Sequence, residues 1–233
     1  MLTAKKKISV REVVPTSEMA TTMDRAKSFY MQYSRFIIGG VVLVAAIIVF
    51  AFIYSSGKSE EEADAGMQLR KVQVLIQQQQ FKLAIDGDPA QGITGLKSIA
   101  DNYSGTSSGE TAALLLGTCY LNTEQFDLAI EAFDKAAPSG DLLKSNAIAG
   151  KAAGYEGKKQ FAEAAAFFED AAGMFSNDFL TASRYFSAAR AWALSGSKEK
   201  AFAAVEKVRE AKTPRFEKDV ERLVSQFDLE PEQ

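Results

Sequence analysis

Apolar positions along this chain follow two patterns. From Phe36 to Tyr54 they form one block of nineteen residues, broken only by glycine and ending on a tyrosine, within an uncharged stretch bounded by Arg35 and Lys58. No face of such a helix is polar, which excludes the amphipathic helix of a soluble core. Its helical length is about 28 Å, close to a bilayer core of roughly 30 Å, so residues 36–54 are predicted to cross a membrane. A cleavable signal peptide fits less well. Thirty-five residues precede the block, the block outruns a usual h-region, and no small-x-small cleavage pattern follows it. From Glu60 onward the spacing is helical and no segment alternates with period two. Gly87-Asp88-Pro89, Ser104-Gly105, Pro138-Ser139-Gly140, Gly157, Gly196 and Pro214 punctuate this region and predict a series of short helices. The expected fold class is all-α.

Short helices at even spacing must stack to bury their apolar faces, and an internal repeat is visible. Gln125-Phe126-Asp127-Leu128-Ala129, with Phe133 and Ala136-Ala137, returns 35 residues later as Gln160-Phe161-Ala162-Glu163-Ala164, with Phe168 and Ala171-Ala172. Nine residues before each alanine stands an aromatic, Tyr120 or Tyr155, and three before that a small residue, Gly117 or Ala152. A third copy, offset by 37, carries Ala189, Trp192, Ala201, Val205 and Val208. Gly92, Leu96 and Ile99, again 37 residues back, mark the second helix of a degenerate copy. The small residues let paired helices approach closely while the aromatics fill the gaps between pairs, so these positions are packing residues and not a cofactor site.

The pattern resembles the tetratricopeptide repeat, a helix-turn-helix unit with a period of about 34 residues. The first copy matches at Leu116, Gly117, Tyr120, Ala129, Phe133 and Ala136; the second has Lys151 in place of the leucine. The resemblance implies an α-solenoid of antiparallel helix pairs over residues 55–233: a degenerate pair at 60–103, repeats at about 110–140, 145–175 and 182–212, and a capping helix at 215–228 with Phe216, Val220, Leu223, Val224 and Phe227 on one stripe. A long helix from Ala63 to Phe81 opens the array. Its Gln77–Gln80 run reads as a solvated face, with a partner-binding strip as the alternative.

Charge then sets a topology. Before the block, seven basic residues face three acidic ones, net +4; after it, 20 basic residues face 27 acidic ones, net -7, within an overall -3. The basic flank predicts a cytoplasmic N-terminus and a C-terminal domain across the membrane. Residues 1–35 are expected to be mostly disordered, a topology signal with anionic headgroups as a secondary contact. Glu61, Glu62 and Asp64 read as a solvated charge run, and the acidic domain disfavours nucleic acid. No small-xxx-small pair occurs in residues 36–54, so no dimer face is predicted there, and the oligomeric state is left open.

Candidate chemistry is sparse. The chain has no His and one Cys, which removes His-based triads, almost every zinc site and an internal disulfide. Asp86-Gly87-Asp88 begins like a calcium loop, but Ala90 stands where the third ligand belongs; a helix stop is expected. Cys119 reads as a small buried hydrophobe, with an intermolecular disulfide as the alternative. No enzyme activity, cofactor or metal is predicted.

A basic tail, one span and a tetratricopeptide array together resemble the bacterial ancillary SecYEG translocon subunit and cell division coordinator family. That resemblance implies a single-pass protein of the bacterial inner membrane with a periplasmic domain. It implies protein partners: Sec translocon subunits, periplasmic chaperones or emerging secreted chains, with scaffolding of a division or surface complex as the alternative. In the repeat family the first helix of each pair lines a concave face. Here those residues are Thr111, Leu114, Thr118 and Asn122 from the first copy, Asn146, Ala149 and Ala153 from the second, and Ser183, Phe186 and Arg190 from the third. Arg190, Asn122 and Asn146 are the polar anchors counted on this face, too few for a grip on acidic C-terminal peptides, and an extended apolar or mixed segment is the expected ligand.

Overall fold

The computed structural model describes residues 16–136, 138–174 and 177–229, with some side chains of the first helix left out. It divides into two units, Met1–Gly57 and Lys58–Gln233. Apart from a two-stranded hairpin, the described secondary structure is helical.

Helix α1 runs over Thr16–Gln77. Residues 16–35, expected to be mostly disordered, are therefore helical. Between Pro15 and Gly39 the sequence contains no helix breaker, and Ala, Met, Lys, Arg and Gln favour the helix locally. Residues 1–15 lie outside the described residues, as do many side chains of 36–54, so the expected membrane crossing falls largely outside them. Among the described residues no helix is long and apolar enough to cross a membrane. Those described in the apolar block, including Leu43, Val44, Ile47, Ile48 and Val49, are exposed.

In the second unit the later part of α1 is followed by α2 (Phe81–Asp86), α3 (Leu96–Asn102), α4 (Ser107–Asn122), α5 (Phe126–Lys135), α6 (Asp141–Gly157), α7 (Phe161–Gly173), α8 (Asp178–Leu194), α9 (Lys198–Glu210) and α10 (Glu217–Phe227). Neighbouring helices pack as α4 on α5, α6 on α7 and α8 on α9, with α5 and α7 also joining successive pairs. A 3-10 turn at Pro214–Phe216 leads into α10.

The turns inside the pairs share one geometry. Backbone N–H groups of Gln80, Gln125, Gln160 and Ser197 donate to the carbonyls of Leu75, Tyr120, Tyr155 and Trp192 at 2.9–3.0 Å, closing each first helix through a residue at positive φ. That residue is Gln79, Glu124 and Lys159 in the first three turns, and Gly196 in the last. The Gln77–Gln80 run is thus where α1 ends, and the expected helix to Phe81 is broken there. A non-glycine residue at positive φ is strained by its Cβ, while glycine costs more chain entropy. Lys159→Gly is expected to stabilise the fold by about 0.5–1 kcal/mol, seen as a higher urea midpoint with an unchanged slope.

The same turn corrects the placement of the degenerate copy. Val72, Leu75 and Ala84, all buried, stand 45 residues before Gly117, Tyr120 and Ala129, and Phe81-Lys82-Leu83-Ala84-Ile85 mirrors Phe126-Asp127-Leu128-Ala129-Ile130. Gly92 does not occupy the alanine position. The offset drops to 37 at Leu96 and Ile99 because a hairpin divides the second helix into α2 and α3. Strands β1 (Gly87–Asp88) and β2 (Ile93–Thr94) pair antiparallel, Gly87 opposite Thr94. The Asp88 carboxylate accepts from the backbone of Ala90 at 3.0 Å and the side chain of Gln91 at 2.7 Å. Gly95 is required beside it, since a Cβ there would lie 2.4 Å from the backbone of Ile85 and Asp86. After the hairpin, Leu96 and Ile99 re-enter the core fully buried.

Between the first two full repeats a row of glycines receives a row of large side chains. Phe126, Ile130 and Phe133 of α5 lie against Gly157, Gly154 and Gly150 of α6, and Phe133 also meets Gly117 of α4. Cys119 is buried in the same core, its thiol pushed up to about 11 by desolvation, so it is shielded from disulfide exchange.

The start of α4 is held from outside. Thr106 Oγ1 accepts from Gly109 N at 3.0 Å, and the Glu62 carboxylate of α1 accepts from Ser108 N at 3.1 Å and Ser108 Oγ at 2.6 Å. The Ser108 hydroxyl, ahead of the backbone N–H bonds, lowers the Glu62 pKa below the ordinary 4.5. A carboxyl whose folded pKa is depressed stabilises the fold fully above its unfolded value and loses that contribution as pH falls through the folded one. Glu62→Gln is expected to flatten the loss of stability below pH 4.5 while changing stability less on further acidification, read from urea midpoints across pH.

Candidate protein-binding face

The first helices of the full repeats, α4, α6 and α8, present a common face. Helix α4 touches α6, and side chains of α8 reach α6. The exposed members of the predicted set are Thr118, Asn122 and Arg190; Thr111, Asn146, Ala153, Ser183 and Phe186 are half-buried. Leu114 and Ala149 are 9% and 4% exposed and serve the core more than the face. On α4 the polar side chains turn back on their own helix: Thr111 Oγ1 donates to the Ser107 carbonyl, Thr118 Oγ1 to Leu114 and Asn122 Nδ2 to Thr118, at 2.8–2.9 Å. The two threonine hydroxyl donors are spent on the helix, while their oxygens and the second N–H of the Asn122 amide remain.

Polar links between repeats lie further along. Arg190 NH2 donates to both Glu156 carboxylate oxygens of α6, at 2.8 and 3.0 Å. This matched charge pair is unlike the free anchor that residue type alone suggested. Arg184 NH2 donates to Asn146 Oδ1 at 2.8 Å. Neither Glu156 nor Arg184 belonged to the predicted set. Arg184 follows Ser183 directly and lies 38 residues after Asn146, one repeat and one residue on, so the repeat offset was the signal that could have found it.

Phe186 and Arg190 are brought together in a cavity of about 370 Å³ that also uses Leu194 of α8 and Asp219, Arg222, Leu223, Gln226 and Phe227 of α10. Its apolar floor and charged rim suit a mixed polypeptide segment. The α4 residues Thr111, Leu114, Thr118 and Asn122 do not line it. A larger cavity of about 500 Å³ lies elsewhere, where α3, α4 and α5 meet around Ala100, Leu116, Tyr120 and Ala132, with Lys97, Asp101, Glu131 and Lys135 around it. Burial raises the Tyr120 pKa there, with a smaller contribution from nearby Asp86 and Glu131. Among the described residues no group of three or more His, Cys, Asp or Glu is placed to hold a metal ion.

Residues 27–151 match the tetratricopeptide repeat-like domain family. No curated protein and no solved structure matches the chain. The matched region ends inside α6, yet the turn that closes the α4–α5 pair recurs in α6–α7 and α8–α9, so the packing rule continues past it. With the match covering more than half of its residues, and with buried small and aromatic positions where such a repeat requires them, the chain belongs to the tetratricopeptide repeat-like domain family.

Proposed function

We propose that this protein is a non-enzymatic, membrane-tethered scaffold that binds other proteins through the face formed by α6, α8 and α10. The observation that carries the reading is the cavity at Phe186, Arg190, Leu194 and Phe227, an apolar floor between helices with unlike charges at its edge. Tetratricopeptide-like domains work typically as protein-interaction scaffolds, and fold alone does not name the partner.

In this reading residues 36–54 tether the chain to a bacterial inner membrane. The +4 flank keeps the N-terminus cytoplasmic and the repeats lie in the periplasm. The partners are Sec translocon subunits, periplasmic chaperones or emerging secreted chains, and tethering raises their local concentration for handover. Photocrosslinking from Thr118 and Phe186 of the full chain in membranes tests this, with exposed Leu128 on α5 as the control. Sec subunits or chaperones captured from Phe186 support it. Crosslinks from Leu128 alone would move the binding surface to the second helices. Purification in mild detergent that recovers none of these partners, with a mid-cell band in localisation, would replace the translocon by a division assembly.

A further inference from the structure

Aromatic positions recur from repeat to repeat, but the side chains beside them change. Tyr120 and Ala132 of the first full repeat return 35 residues later as Tyr155 and Phe167, and after a further 37 as Trp192 and Ala204. In the second repeat the rings of Tyr155 and Phe167 stack with centroids 5.2 Å apart and planes 16° from parallel, and the Lys151 ammonium lies 4.6 Å from the centre of the Phe167 ring. The third repeat has Ala204 where Phe167 stood, and there the bulkier indole of Trp192 is buried, its Nε1 donating to the Glu169 carboxylate at 2.9 Å. The first repeat has neither the second ring nor the indole. Tyr120 and Ala132 instead line the cavity of about 500 Å³ between α3, α4 and α5, so space that a ring occupies in the next repeat is left unfilled here.

The lining of the cavity differs in the same direction. Where the second repeat has Lys151 and Glu163, the first has Leu116 and Leu128, and Leu128 is 42% exposed at the cavity. The charged groups around it, Lys97, Asp101, Glu131 and Lys135, sum to zero, so an ionised ligand gains no net counter-charge and a neutral apolar group is favoured. We infer that this cavity receives a Phe side chain from a partner protein, whose ring stacks on Tyr120 as that of Phe167 stacks on Tyr155. Residues 1–15 and 230–233 hold no aromatic, so neither stretch supplies the ring. The site is separate from the face of α6, α8 and α10. On α4, Leu116 and Tyr120 each stand two residues from Thr118, about 200° around the helix. Crosslinks from Leu128 beside those from Phe186 therefore fit a scaffold with two docking points, and crosslinks from Leu128 alone would leave this one standing.

Full-length protein in detergent micelles, isotope-labelled at its alanine methyl groups, provides the test through Ala100, Ala113 and Ala132, which line the cavity. Acetyl-Ser-Ala-Phe-Ala-Ser amide is titrated against it, and the same peptide with Ala in place of Phe serves as the comparison. Saturable ring-current shifts of these methyl groups with the Phe peptide, and none with its Ala counterpart, are the expected result. Leu128→Glu, which copies the second repeat at an exposed position, should weaken the binding about fivefold or more. Ala132→Phe supplies the ring from within, and should abolish the peptide shifts at Ala100 and Ala113 while raising the urea midpoint. No saturable shift in the wild-type protein, equal shifts with the Ala peptide, or a lowered midpoint in Ala132→Phe would overturn the site. Methyl shifts that grow with protein concentration in the absence of peptide, and vanish in Leu128→Glu, would give the cavity to a second copy of the chain and overturn the partner. None of these results touches the face at Phe186, which its own crosslinks decide.

Discussion

Phe133→Ala is expected to lower the stability of the repeat array by about 3–5 kcal/mol, the range for truncating a large buried aromatic. Phe133 is 5% exposed, and its ring fills the space that Gly117 of α4 and Gly150 of α6 leave open. Those glycines carry no side chain that could move in, so the void persists instead of collapsing. The residue also joins the first full repeat to the second. Because a solenoid is stabilised by nearest-neighbour interfaces, losing this one should divide unfolding into two transitions. Urea unfolding of the full chain in micelles, followed by circular dichroism, measures both effects. A single transition shifted by under about 1 kcal/mol would mean that the interface repacks around the alanine.

Gly150→Ala tests the same contact from the other side and carries the second largest expected effect. In a helix the change gains about 0.5–1 kcal/mol in chain entropy and propensity. The added Cβ would sit 2.4–2.7 Å from carbons of the Phe133 ring, and a ring wedged between two helices cannot yield as a flexible chain end would. Overpacking of this kind costs about 1–3 kcal/mol, so the net result is a loss of roughly 1–2 kcal/mol. Combining Gly150→Ala with Phe133→Leu should cost less than the sum of the two changes, since the smaller side chain makes room. Strict additivity in that double-mutant cycle would show that the two residues do not compete for space.

Much of the fold was legible before any coordinates, and its misreadings have definite causes. Ala129, Ala164 and Ala201 recur because only a small residue allows that helix-helix approach, and all three are fully buried. The degenerate copy was misplaced because a search at constant offset assumes continuous helices. Gly87 and Gly95 permit a hairpin inside one helix, and the inserted residues moved Ala84 out of register while leaving Leu96 and Ile99 at the usual spacing. The candidate face was partly legible. Repeat position selected Phe186 and Arg190, which share a cavity, but it also selected Leu114 and Ala149, which are buried. Helical phase identifies a face only to within a residue on either side, and whether such a residue is covered depends on how far the neighbouring helix leans over it.

By itself the sequence determined the class of structure: helical period, small residues at fixed intervals, and an apolar block with unlike charge on its two sides. These are properties of composition and spacing, and local chain geometry is enough to express them. Tertiary structure alone decided which charges are matched. Arg190 looked available and is paired with Glu156, whereas Arg184, one residue after a predicted groove position, keeps donors unspent beside Asn146. The partners in each case are more than thirty residues apart. The distance between such groups is set by the packing of successive repeats, and a shift of a few ångströms there separates a neutralised side chain from one left without a countercharge.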